Sequence, residues 1–234
     1  MADPTPSRLD DYLDVFVAPS RLFERRSDGK FGQALLVFVI LLAVLVFSTR
    51  TAMQPIMDAE WDRGMAAAAQ KNPSLTPEQL AAGKSFMGAA AGVFVIVGFP
   101  IAILVLGAAI WVIARVIGRS LTYSQGATIA TFAMFPRLID SVVGAVQALL
   151  LNETALTSRY AVSLGIGRFL DPATTNHYLL AVLGRVDLFT LWVTALVAIG
   201  LRVMAKATLG ETVAGAVIVW FVGAILPLLQ ALNS

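Results

Sequence analysis

Residues 86–114, FMGAAAGVFVIVGFPIAILVLGAAIWVIA, run for 29 positions without one charged side chain. A helix rises about 1.5 Å per residue, so about 20 apolar residues cross a hydrocarbon layer about 30 Å thick. Backbone polar groups inside lipid must bond to one another, and a single continuous segment achieves that only as a helix. The run therefore predicts a membrane-spanning α-helix, and the rest of the chain must suit a bilayer. Composition agrees. Of 234 residues, 58% are hydrophobic and 14% charged, against about 25% charged in soluble domains, and the mean hydropathy is +0.79. Too little polar material exists to clothe a water-facing surface.

Four further apolar runs complete the pattern. Spans are predicted at about 31–50, 86–115, 124–150, 184–204 and 212–231. The fold class is all-α: a polytopic transmembrane helical bundle of five spans over 31–234, with an amphipathic segment at 1–30 and a small extracytoplasmic helical extension at about 57–85. Asp3, Asp10, Asp11 and Asp14 precede the first run, where a secretory signal would carry positive charge, so that run is expected to stay as a span. Placing the N-terminus in the cytoplasm puts nine basic residues inside: Arg8, Arg21, Arg25, Arg26, Lys30, Arg115, Arg119, Arg202 and Lys206. Seven lie opposite, several of them in longer loops that count for less. The orientation follows: N-terminus cytoplasmic, C-terminus extracytoplasmic.

Two stretches outside the spans are organised. In SRLDDYLDVFV, 7–17, Leu9, Tyr12, Leu13, Phe16 and Val17 recur at helical spacing, opposite Asp10, Asp11 and Asp14. Pro19 breaks that helix, and Leu22 and Phe23 follow among Arg21, Arg25 and Arg26. One reading is an interfacial anchor, with Tyr12, Phe16 and Phe23 in the leaflet and Arg25 and Arg26 at anionic headgroups. The other is a helix packed onto the inner ends of the bundle. Further on, Thr76, Pro77 and Gln79 spell a helix start with a capping box. Nothing stops that helix before about Ile117, some 60 Å away at 1.5 Å per residue. Pro100 is expected to kink it. A shorter helix at about 57–71 is expected to pair with its projecting end, and 152–178 reads as irregular or briefly helical.

The segment FPRLIDSVVG, 135–144, places a proline and two charges inside the third apolar run. Pro136 frees the carbonyl of Phe132, which must bond elsewhere. Arg137 and Asp140 stand three apart and share a helix face; Asp187, with Arg185, lies near the start of the fourth span. Charges at such depth turn toward protein or a polar cavity. Arg137, Asp140, Asp187 and Arg185 thus form a candidate polar cluster with two readings, a transport path or a satisfied network that fixes helix register. Small residues recur four apart at Gly88/Gly92, Gly126/Ala130, Gly144/Ala148 and Gly210/Ala214, joined by Gly98 and Gly107. Such spacing permits close helix contact.

Several chemistries have no foothold. There is no cysteine and one histidine, His177, so thiolate and multi-histidine metal sites are excluded. No phosphate loop, dinucleotide fingerprint or serine elbow occurs. No catalytic residue, cofactor or metal is assigned, and the absence of a basic run argues against nucleic acid.

Three stretches resemble the Yip1-domain family of integral membrane proteins, bacterial branch. Pro19 and Phe23 match the P-x-x-x-F before its first span, FAMFPRLI at 132–139 its proline-bearing third span, and VDLFTLWVTALVAIGL at 186–201 its fourth, with Asp187, Trp192 and Gly200. The resemblance covers nearly the whole chain. It implies five transmembrane helices and no established catalysis. Eukaryotic members act in vesicle traffic with small lipid-anchored GTPases, but their long cytosolic N-terminal region and aspartate-leucine-tyrosine-glycine-proline motif are absent here, and the outer part around 55–85 is an addition. The expectation that carries over is a non-enzymatic protein of the bacterial inner membrane, scaffolding or organising lipids, itself as a homo-oligomer, or other membrane proteins. The alternative is a small transporter, channel or lipid-moving protein using Arg137, Asp140 and Asp187.

Overall fold

The computed structural model describes residues 10–232, so Arg8 and Leu9 lie outside the described residues. The described residues are mainly helical: α1 Asp10–Val17, α2 Pro19–Arg25, α3 Gly32–Ser48, α4 Arg50–Lys71, α5 Pro77–Val116, α6 Tyr123–Ala133, α7 Pro136–Leu150, α8 His177–Leu183, α9 Leu188–Met204, α10 Leu209–Val222 and α11 Ile225–Leu232, with short 3₁₀ turns at Glu153–Ala155 and Ile166–Phe169. Among the described residues the one extended pairing is an isolated bridge between Gly165 and Asp187. The chain divides into two compact units. Unit 1 takes the chain up to Phe38, Pro100–Arg137 and Phe189–Gly223; unit 2 takes Val39–Phe99, Leu138–Leu188 and the chain from Ala224 onward.

Unit 1 is built on close backbone approach. A β-carbon placed on Gly126 would lie 2.5 Å from the Gly107 carbonyl oxygen, and one on Gly107 would lie 2.7 Å from Ala127 Cα. α5 and α6 therefore touch main chain to main chain. Gly200 lets Ile129 reach α9, and Gly215 lets Leu201 reach α10. Ile103, Ile110, Ile129, Phe132, Val197 and Leu201 fill the space between them. α5 ends on Gly118, at φ +77°: Arg119 N–H donates to Ala114 O at 2.8 Å and Gly118 N–H to Arg115 O at 3.0 Å. This is the Schellman ending, which a β-carbon disfavours.

The turns of unit 1 begin with capping boxes. Thr122 and Gln125 exchange hydrogen bonds at the start of α6, as do Thr208 and Glu211 at the start of α10. Thr122→Ala is expected to cost about 1 kcal/mol. Amide exchange at residues 123–126 should speed up while α9 stays protected; unchanged exchange there would mean the cap contributes nothing.

Unit 2 contains a small core of Ile56, Ala148, Leu156 and Val162, with Met53 and Leu151 packed against it. Gln147 Nε2 donates to Val162 O at 2.8 Å. α4 is pinned to the loop after α7 by Arg63, which donates to Thr157 O, and by Glu60, which accepts from Arg159 N–H at 3.0 Å. Lys84 of α5 pairs with Asp62 at 2.6 Å. The predicted capping box at Thr76 is present: Gln79 N–H donates to Thr76 Oγ1 at 3.3 Å, and Thr76 N–H to Gln79 Oε1 at 3.0 Å. From there α5 runs 40 residues as one helix through Pro100.

Among the described residues three helices are long and apolar enough to cross a membrane: Pro77–Val116, Tyr123–Leu150 and Leu209–Leu232. A fourth crossing arises if α3 and α4, bent by 78°, count as one broken span. α9 is apolar but 17 residues long. Five clear spans are therefore not what the helices display. The bend after α3 has a local cause. Ser48 Oγ and Thr49 Oγ1 both donate to the Leu45 carbonyl, the hydroxyl back-bonding that bends helices. The outer helix predicted at 57–71 is longer and begins at Arg50, directly after this bend.

Candidate functional site

The interruption at 134–137 is a helix break whose polar groups find partners. α6 ends at Ala133 and α7 begins with Pro136, in the first helical position where its missing N–H costs nothing. The Phe132 carbonyl accepts from Phe135 N–H at 3.1 Å, and Arg137 N–H donates to Met134 O at 2.9 Å. Thr128 and Thr131, both fully buried, turn their hydroxyls onto the carbonyls of Ser124 and Ala127 at 2.8 and 2.7 Å. Each satisfies itself within α6.

Arg137 Nη2 donates to Thr190 Oγ1 at 2.6 Å, tying the start of α7 to α9. Thr190 is buried, and its carbonyl accepts from Thr194 Oγ1 at 2.7 Å. Thr190 is a residue the sequence reading missed. Its one signal was a hydroxyl in the apolar run LFTLWVT. Of the other predicted members, Asp140 lies one turn along α7 in unit 2, half-buried, and Arg185 follows α8, also half-buried. Asp187 is buried just ahead of α9, held by a two-strand pinch in which Ile166 N–H donates to Val186 O at 3.0 Å and Leu188 N–H to Leu164 O at 3.2 Å.

The second polar constellation is the N-terminal clip. Asp11 is 3% exposed. Arg25 donates to its Oδ1 through Nε at 3.1 Å and Nη2 at 2.7 Å. Arg26 Nε donates to Oδ2 at 2.6 Å, and Arg25 Nη2 also reaches Asp14 at 2.6 Å. Around it, Tyr12 meets Phe135 and Phe132 at 5.6 and 6.4 Å between ring centres, Phe38 meets Phe135 at 5.6 Å, and Phe16 meets Trp192 edge-on at 5.8 Å. Phe23 and Leu22 are fully buried. Of the five residues read as an anchor, Phe23 lies inside protein, Tyr12 and Phe16 pack on rings of unit 1, and Arg25 and Arg26 hold Asp11.

Three turns of unit 1 meet at one end. Arg119 and Glu211 join the α5–α6 turn to the α9–α10 turn, with Nη2 to Oε2 at 2.7 Å. Gln125 Nε2 donates to Ser27 O at 2.9 Å, bringing in the α2–α3 turn. There Gly29, at φ +78°, leaves room for Ser124. Arg115, over the Trp111 ring at 4.5 Å, is exposed at this end, as are Arg202 and Lys206. Among the described residues no group of three His, Asp or Glu side chains is placed to hold a metal ion.

The family model of the Yip1 domain matches residues 13–229. No curated protein and no solved structure matches the chain.

Proposed function

Because the chain belongs to the Yip1 domain family, we propose that it is a non-enzymatic integral membrane protein that organises lipids and partner membrane proteins. The setting is a bacterial cytoplasmic membrane, crossed five times, with the N-terminus inside and the C-terminus outside. The odd count takes α3 with α4, α5, α6 with α7, α9, and α10 with α11 as one crossing each. At 17 residues α9 is about 25 Å long, enough for a thin hydrocarbon layer with its ends adjusting. The exposed cations at the junction of the three turns support this orientation, because basic residues concentrate at cytoplasmic span ends.

The observation that carries the reading is the bond from Arg137 to Thr190. It uses the intramembrane cation as a tie between two helices, while the carbonyl freed by Pro136 is taken by Phe135. A transport path needs polar groups that exchange partners with a moving solute; this pair serves the fold. The test is Arg137→Leu with Asp140→Leu in reconstituted vesicles. Ion and solute flux should equal that of the wild type while the thermal midpoint falls. Loss of a wild-type flux in a folded double variant would overturn the reading in favour of a small transporter, channel or lipid-moving protein.

A further inference from the structure

The end of unit 1 where Ser27, Thr122, Arg119 and Glu211 meet gives a ruler for depth. From Thr122, Phe132 and Phe135 lie ten and thirteen residues along, and Trp192 lies ten residues from Arg202 in α9. At 1.5 Å per residue these rings stand about 15–20 Å from the basic end, near the middle of a hydrocarbon layer about 30 Å thick. The α1 rings Tyr12 and Phe16 pack against these side chains. α1 thus starts near the basic turns, where Asp11 holds Arg26 one residue before Ser27, and its Phe16 end reaches toward the span centres.

Its polarity is inverted to match. α1 turns Asp11 and Val15 inward and leaves Leu13 67% and Val17 78% exposed. In water that arrangement would bury a carboxylate and wet two aliphatic side chains. In lipid it is the favourable one, provided that the carboxylate is fully paired, and Asp11 has both arginines. The chain break is suited to the same setting. Pro19 has no N–H to satisfy, Ala18 N–H donates to Asp14 O at 2.9 Å, and the Ala18 carbonyl accepts from Arg21 and Leu22 at 3.0 and 3.3 Å. Arg21, exposed on α2, has a side chain long enough to reach toward the headgroups. The lipid-facing surface continues onto α9, where Leu188 and Leu191 are exposed beside Trp192.

We propose that α1 and α2 form a re-entrant hairpin inside the membrane layer, clipped by Asp11 to Arg25 and Arg26, whose Leu13–Val17 face contacts lipid acyl chains. The hairpin adds an intramembrane element without adding a crossing, so the side of the N-terminus is unchanged. It holds whether the protein organises lipid or moves a solute.

The chain has no cysteine, so single-cysteine variants report cleanly. Leu13→Cys and Val17→Cys in the full-length protein, with Val105→Cys as a mid-span reference and Arg202→Cys as a basic-end reference, are nitroxide-labelled and reconstituted in phosphatidylcholine–phosphatidylglycerol vesicles. Power saturation with oxygen and a nickel chelate then gives depth. Position 17 should collide with oxygen as readily as position 105, position 13 less so, and both with nickel several-fold less than position 202. Nickel access equal to that at 202 would overturn the proposal by placing the helix at the surface. Low access to both reagents would overturn it by showing protein, such as a second copy, over that face.

Discussion

Asp11→Ala is expected to release the N-terminal hairpin from the rest of unit 1. The carboxylate is the shared acceptor of Arg25 and Arg26, and its loss takes this acceptor from two half-buried guanidiniums. Breaking a buried ion pair from one side costs about 3–5 kcal/mol. Here Arg25 keeps Asp14 and both arginines retain an exposed edge, so the expected loss is roughly 2–3 kcal/mol. At 2 kcal/mol the open population rises about 30-fold. Tryptic cleavage after Arg21, Arg25 or Arg26 in detergent should accelerate accordingly, with the remainder of the chain intact. Asp11→Asn keeps the shape and a single neutral acceptor, and should fall between wild type and alanine. Removing all three charges, as Asp11→Ala with Arg25→Met and Arg26→Met, should recover most of the loss, because the penalty lies in the unpaired cations. Cleavage at the wild-type rate in Asp11→Ala would show that the rings and Phe23 hold the hairpin unaided.

The sequence made the α5 rod legible because three signals agreed: an N-cap, a proline at the first helical position, and no stop until Gly118. It made the break at Pro136 legible as a demand, since the Phe132 carbonyl had to go somewhere, but could not say that Phe135 two residues earlier than Arg137 would answer it. That choice depends on the chain turning at Met134. The partner Thr190 was out of reach for the same reason: it is 53 positions from Arg137, and periodicity carries no information on which helix lies opposite. The N-terminal segment was legible as a helix with two unlike faces, but not in which side chains it would bury. Amphipathic spacing in 7–17 says that two faces differ, and water is the usual solvent for the polar one. Here Arg25 and Arg26 replace water at Asp11, so Asp11 turns inward with Val15, and Leu13 and Val17 turn out. The first apolar run was legible as helix, yet the 78° bend at its end rests on two hydroxyls, Ser48 and Thr49, that look like ordinary loop residues.

Glycine substitutions should separate two classes that the sequence presents as alike. A β-carbon at Gly126 would sit 2.5 Å from the Gly107 carbonyl oxygen and 3.3 Å from Trp111 backbone nitrogen; one at Gly107 would sit 2.7 and 2.9 Å from Ala127 Cα and N. The obstacles are main-chain atoms, which cannot rotate aside, so Gly107→Ala or Gly126→Ala must push α5 from α6. Overpacking of this kind costs about 1–3 kcal/mol, and the upper end applies where the wedge opens a dry contact lined by Ala127 and Ala130. The two variants act on one contact. Once the helices have parted for the first, the second costs little, and the double variant should melt near the worse single one. Gly88→Ala and Gly210→Ala meet nothing within 4 Å, so each should keep or raise the midpoint, since glycine within a helix costs roughly 0.5–1 kcal/mol relative to alanine. Tryptophan fluorescence melts in detergent measure all five variants. Equal behaviour of the two classes would mean that α5 and α6 are held apart by side chains, and that the main-chain contact at Gly107 and Gly126 does not anchor unit 1.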